Sequence, residues 1–219
     1  MRPAAAGVLL VAALAAAAPA VAAGDGAFRS WRSLRDAGVV RQQRDFSCGL
    51  AALATLLSHY YRRPATEASL LARLLGDAPV AVERRALVSR GVSLAELARL
   101  AADHGLQARG VAVRASALAR LRVPAIAYLE EHGVGHFTVL RRVAAHRVQL
   151  ADPAAGNVSW SRRRFRAAFS TDGGRGRLLL LGDAATPPAP GPAVDRPLPL
   201  LRRARRAVFP PPLFPAPWR

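Results

Sequence analysis

Near Gln107 the hydrophobic pattern of this chain changes period, and that change constrains what it can fold into more than any other feature. Upstream, apolar residues recur at helical spacing: Leu50, Leu53, Leu56, Leu57, Tyr60 and Tyr61 form one run stopped by Pro64. Leu70, Leu71, Leu74 and Leu75 form a second run, opened by Thr66 and Glu67 and closed by Gly76. Ser93 and Glu96 form a capping box for a third helix, which runs to about His104 and stops at Gly105. Downstream the pattern alternates, and Gln107–Val113, Pro124–Glu130, His136–Val143 and Arg147–Asp152 read as strands. A short helix at Ala115–Leu121 interrupts the first two strands. Val158–Trp160 pairs back after the turn Asp152–Gly156, a basic helix follows at Arg162–Phe169, and Arg177–Leu181 closes the sheet. Helices first and an antiparallel sheet afterwards make an α+β domain. Trp31 and Leu34 are the anchors expected of a short leading helix or arm, and Ala78–Arg90 carries no clear period.

The two ends read differently from this middle. Met1 and Arg2 are followed by the small apolar run Ala4–Ala18, and small residues at Val21 and Ala23 give a cleavage site before Gly24. That is the layout of a secretory signal peptide over 1–23, which predicts a periplasmic or secreted protein, or a membrane-anchored one if the signal stays uncleaved. From Ala184 onwards proline and arginine dominate, so 184–219 is expected to lie outside the core as a disordered or polyproline-like tail, with membrane contact by its basic residues left open.

The net charge of +18 comes entirely from arginine, since the chain has no lysine. These arginines are spread along the sequence without interleaved aromatic residues, which argues against nucleic-acid binding and for a solvated or acidic-partner-facing surface.

Cys48 is the only cysteine, so in an exported chain it has no internal disulfide to form. Its place at a predicted helix N-terminus, where free N–H groups and partial positive charge favour a thiolate, makes it a candidate nucleophile. Gly49 next to it is expected to leave room for a substrate backbone. Gln42, six residues earlier (48 − 42), is placed to donate to the same oxyanion as the Cys48 N–H, with Gln43 as its rival.

Among the histidines, His136 opens an alternating strand directly after Gly133-Val-Gly135 and is the expected base, with His132 second. His59 and His104 fall in or near helices and read as surface or packing residues. Asp152 ends the following strand, from which a hairpin brings its carboxylate towards the His136 imidazole; it equally suits plain turn chemistry. A metal site built from Cys48, His132, His136 and Asp152 is the weaker reading, because it lacks the glutamate and the helical face of a zinc protease motif. No cofactor and no metal are assigned.

Three segments in order, Gln42 … Asp45-Phe-Ser-Cys48-Gly49-Leu-Ala-Ala-Leu53, then Gly135-His136-Phe137-Thr-Val139, then Asp152-Pro153-Ala-Ala-Gly156, resemble the bacteriocin-processing (double-glycine leader) cysteine peptidases, a papain-like family. The resemblance covers about Val39 to Leu181, with sixteen residues (152 − 136) between His136 and Asp152. It implies a papain-like domain over 39–183 preceded by an arm at 24–38. It also implies Cys48 as nucleophile, His136 as general base, Asp152 as orienting carboxylate and Gln42 as oxyanion donor, cutting a peptide bond that often follows Gly-Gly.

Many members of that family are cytoplasmic domains fused to ABC transporters, whereas this sequence shows an export signal and no transporter segments. A substrate met after export, or a fibre or other secretion-system component, is therefore the expected partner, because exported stand-alone relatives occur beside secretion systems for extracellular fibres such as functional amyloid. Two other functions remain open at this point. One is a non-catalytic peptide-binding module that assists secretion of a fibre or peptide, and the other is acyl transfer of the transglutaminase type.

Overall fold

The computed structural model describes residues 30–76 and 80–182; the expected signal segment 1–23, residues 24–29 of the arm and the tail 184–219 lie outside them. Two layers meet: helices α1 (Trp31–Asp36), α2 (Cys48–Tyr60), α3 (Glu67–Leu75), α4 (Val80–Arg90) and α5 (Leu94–Asp103) come first, and a sheet follows. Its strands are β1 (Gln107–Arg114), β2 (Ala125–Glu131), β3 (Val134–Val143), β4 (Arg147–Asp152), β5 (Gly156–Ser161) and β6 (Arg175–Gly182), with α6 (Arg162–Phe169) between the last two. Every pairing is antiparallel, in the order β1-β6-β2-β3-β4-β5.

Helix α2 is the spine of the domain. Gly49 to Leu57 are all buried, so it is apolar around its whole circumference rather than along one stripe, as a helix enclosed on every side must be. Leu50, Leu53, Leu56 and Leu57 meet Ile126, Val139, Ala151 and Leu179 of the sheet and Leu97 and Leu100 of α5 in one cluster. Burying each such leucine stabilises the fold by roughly 1.5–3 kcal/mol. The opposite face of the sheet buries Ala127, Leu129, Leu140, Leu150 and Leu178 against Phe165 and Phe169 of α6, whose rings stack with centroids 5.3 Å apart.

The capping box at Ser93 and Glu96 is present as read, and Thr66 caps α3 with Ser69 as its reciprocal partner. The short helix expected at Ala115–Leu121 is present as a 3-10 helix over Ala115–Arg120. Three features depart from the sequence expectation. Strand β6 lies between β1 and β2 rather than finishing an edge, because its run of leucines is buried on both faces of the sheet. Strand β3 begins at Val134, since His132 and Gly133 both adopt positive φ (55° and 76°) and form the two-residue hairpin turn joining it to β2. Trp31, expected to be an anchor, is 73% exposed, with the Arg35 guanidinium 5.1 Å from its ring centroid. Asn157 of β5 does the anchoring, donating from Nδ2 to the carbonyls of Leu34 (3.1 Å) and Ala37 (2.9 Å).

Candidate active site

Cys48 is the first residue of α2, where backbone N–H groups have no partner within the helix. The Phe137 N–H of β3, beyond the point where β4 begins pairing with β3 at Val139, donates to the Cys48 Sγ at 3.5 Å. One residue earlier on β3, His136 binds the Asp152 Oδ2 through Nε2 at 2.8 Å. The imidazole and the Cys48 thiol lie close enough for each to shift the other's ionisation. Asp152 is 4% exposed, and its second oxygen accepts the Ala154 and Ala155 N–H groups, each at 2.8 Å. The Asp-Pro turn thus does two things at once, closing β4 onto β5 and holding a carboxylate against the imidazole.

The charges follow from these contacts. Burial opposes ionisation of the Cys48 thiol, but the hydrogen bond and positive charge of His136, with the Phe137 and Gly49 N–H groups, outweigh it and hold its pKa below the ordinary thiol value. Burial likewise disfavours a charged imidazole, and the bonds to Asp152 and Cys48 reverse this, raising His136 to about 10. Burial pushes the Asp152 carboxyl up; His136 and the two turn N–H groups more than compensate, and it stays ionised. The cluster therefore favours thiolate, imidazolium and carboxylate in a row.

Gln42 reaches the same region from the other side. Its own N–H donates to the Pro153 carbonyl at 3.1 Å, which ties it to the residue after Asp152. Its side chain donates one Nε2 hydrogen to the Arg44 carbonyl at 3.1 Å, while Oε1 is buried without a hydrogen-bond partner. Gln43, the rival, is exposed and reaches back to the Arg41 carbonyl at 3.4 Å.

Sequence reasoning missed what holds this loop. Glu67, 3% exposed at the start of α3, accepts the Gln43 N–H at 2.5 Å and the Arg44 guanidinium at 2.9 Å. A carboxylate inside a leucine-rich helix start was the available signal, but its partners lie over twenty residues away. Thr55 adds a second tether, accepting the Val40 N–H at 2.9 Å.

The other histidines stand apart from the cluster. His132 is exposed at the hairpin tip, His146 is exposed beyond β3, His104 bonds the Leu100 carbonyl through Nδ1 at 2.8 Å, and His59 lies in the last turn of α2. Among the described residues no group of three or more His, Cys, Asp or Glu side chains converges to hold a metal ion. Gly49 has a different role from the one expected: it is buried, and a Cβ there would meet Phe137 Cδ2 at 3.1 Å and Leu97 Cδ1 at 3.2 Å. It lets α2 approach β3 and α5, which brings Cys48 to the sheet.

A groove of about 810 Å3 opens from Cys48. Phe46, Val92, Leu94, Tyr128 and Phe137 give it apolar walls, and Tyr128 meets Phe137 edge-on with centroids 5.3 Å apart. Gly135 also lines it, and a side chain there would collide with the Tyr128 hydroxyl.

This arrangement suits covalent catalysis on an extended peptide. The sequence pattern of the Peptidase C39 family matches residues 36–172. The chain belongs to the peptidase C39 family. It is a cysteine peptidase with the papain-like α+β fold. Among curated relatives of this C39 peptidase, the "Probable functional amyloid protease FapD" of Pseudomonas aeruginosa is 33% identical over 189 residues, covering 81% of this chain and 80% of that protein. The protein of the same description from Pseudomonas fluorescens is 33% identical over 141 residues, 64% of this chain and 61% of that one. Among solved structures, the peptidase domain of Streptococcus ComA, a bifunctional ABC transporter of a quorum-sensing pathway, superposes with a TM-score of 0.53 at 19% identity, over 66% of this chain and 96% of that domain. A double glycine motif protease from an AMS/PCAT transporter, solved with its leader peptide, gives 0.50 at 23% identity, over 65% and 89%. At these identities the two structures speak for the fold.

Proposed function

We propose that this C39 peptidase is exported and hydrolyses a peptide bond in a secreted peptide or protein, with Cys48 as nucleophile, His136 as acid and base, Asp152 as orienting group and Gln42 as oxyanion donor. The observation that carries this reading is the continuous line from the Cys48 thiol through the His136 ring to Asp152, closed by the 2.8 Å bond at its far end. The Cys48 thiolate attacks the scissile carbonyl, and the resulting oxyanion is held by the Cys48 backbone N–H and the second Nε2 hydrogen of Gln42. His136 passes its proton to the leaving amine. Water, deprotonated by His136, then cleaves the thioester and frees the new carboxylate.

The substrate proposed is an exported fibre subunit of the functional-amyloid type, cut after a Gly-Gly pair. The export layout of 1–23 and the amyloid-protease description of the Pseudomonas relatives support the first part. The double-glycine description of the leader-peptide structure supports the second. Incubating the enzyme with such a subunit and weighing the products tests both parts. Fragments ending in a free carboxylate after Gly-Gly, absent with Cys48→Ala, are the expected outcome. A cross-linked or amidated product would indicate acyl transfer instead, and processing that survives Cys48→Ala would reduce the cleft to a binding role.

A further inference from the structure

A second groove, of about 730 Å3, lies on the face of the sheet that α6 covers, between α6 and the 3-10 helix. Arg114, Arg162, Arg163 and Arg166 line it, and Leu118, Val143, Val148 and Phe165 give it an apolar floor. No acidic residue is among its lining residues. All four arginines are exposed, and among the described residues none of them pairs with a carboxylate; Arg162 reaches only the Ala145 carbonyl, at 3.5 Å. Arg35, Arg41, Arg44, Arg73, Arg90 and Arg164, by contrast, each reach an Asp or Glu within 3.1 Å. Four unneutralised guanidinium groups around one recess repel each other, and an anionic occupant relieves that repulsion.

The groove is remote from Cys48. It takes in the C-terminal end of β3 and the N-terminal end of β4, whereas His136 and Asp152 stand at the opposite ends of those strands. Seven residues from His136 to Val143 (143 − 136) at about 3.3 Å each separate the two places by roughly 23 Å along the strand.

We propose that this groove is a docking site for an acidic segment of a protein partner, one in which Asp or Glu residues alternate with apolar ones. The planar fork of arginine matches a carboxylate with two parallel hydrogen bonds, and the recessed floor of Leu118, Val148 and Phe165 takes the intervening apolar side chains. A groove of about 730 Å3 with an apolar floor suits an inserted chain better than a flat anionic surface, where protruding charges make the contact. The tail of the same chain has the wrong sign: residues 184–219 contain six arginines and one acid, Asp195. The inference stands independently of the proposed catalytic roles.

Fluorescence anisotropy on the full chain with a short labelled peptide of interspersed glutamate and leucine tests it, with the glutamine analogue as control. The expected result is binding of the glutamate peptide that weakens about tenfold or more in Arg163→Glu/Arg166→Glu. Reversing two exposed arginines elsewhere, Arg62→Glu/Arg99→Glu, applies the same charge change and is expected to alter binding by less than about twofold. Circular dichroism and the rate of Cys48 alkylation establish that the variants fold, and Arg163→Gln/Arg166→Gln replaces the double reversal if it does not. Equal weakening by both pairs of reversals would overturn the proposal, since general charge would then explain the binding. So would absence of binding at low salt, equal binding of the glutamine analogue, or capture by these arginines of phosphatidylglycerol vesicles but not of the peptide.

Discussion

The two sides of the candidate active site are built by different means. His136 and Asp152 stand on neighbouring strands whose register is set by a ladder of backbone hydrogen bonds and by buried side chains on both faces. Gln42 stands on a loop with no ladder, held in place by the Pro153 carbonyl and by Glu67, which grips the next two residues. The strand side is thus positioned by the fold as a whole, and the loop side by a few polar contacts. Damage should therefore be selective: the thiolate should survive when the Gln42 loop is loosened, and the loop should survive when the thiolate is lost.

The largest effect is expected from His136→Ala, which leaves the half-buried Cys48 thiol without the imidazole that favours its ionisation. Peptidase kcat/KM should fall about 10⁴-fold, read by steady-state hydrolysis, while the melting curve changes little. Gln42→Ala attacks the other side. It should lower kcat by about 10²- to 10³-fold with KM nearly unchanged if its side chain is the proposed oxyanion donor, because such a donor acts on charge that develops in the transition state.

Glu67→Gln separates the two sides most clearly. It removes the charge that holds Arg44 and weakens the bond to the Gln43 N–H, and it should cost roughly 1–3 kcal/mol in denaturant melts together with about a tenfold loss of kcat. The pH dependence of Cys48 alkylation should not move. A shift there would mean that the loop and the strands are one unit, and the contrast would fail.

The smallest effect is expected at the far wall of the groove, where Glu96 binds Arg90 and the Ser93 N–H and hydroxyl and its pKa is lowered from 4.5 to about 2. Because the folded state holds this group below its unfolded value, its contribution is complete above about 4.5 and is lost as pH falls towards 2. Glu96→Gln should flatten that part of the acid-melting profile, with kcat unchanged within about twofold.

This contrast also explains what could be read from the sequence. The helix of Cys48 and the strands of His136 and Asp152 each carry a local periodicity, so spacing alone placed their residues on the right elements, with His136 two residues inside β3 rather than at its start. The choice of Gln42 over Gln43 needed the resemblance to a family. Glu67 was out of reach, because its partners are distant in the sequence and its local pattern is only that of a helix start. Gly49 was read as space for the substrate because it neighbours the nucleophile, yet it faces inward to Phe137 and Leu97, and nothing in its local sequence says which way it points. Helix α4 carries no sustained amphipathic period, so its sequence does not mark it as a helix.

The central claim is that the Cys48 thiolate is maintained by His136. It is tested most directly by the rate of Cys48 alkylation with iodoacetamide as a function of pH, in the native protein and in His136→Ala. The account predicts that the native rate stays high well below the ordinary thiol pKa of about 8.5, and that the variant titrates at or above that value. Two superimposable curves, both rising near 8.5, would contradict it.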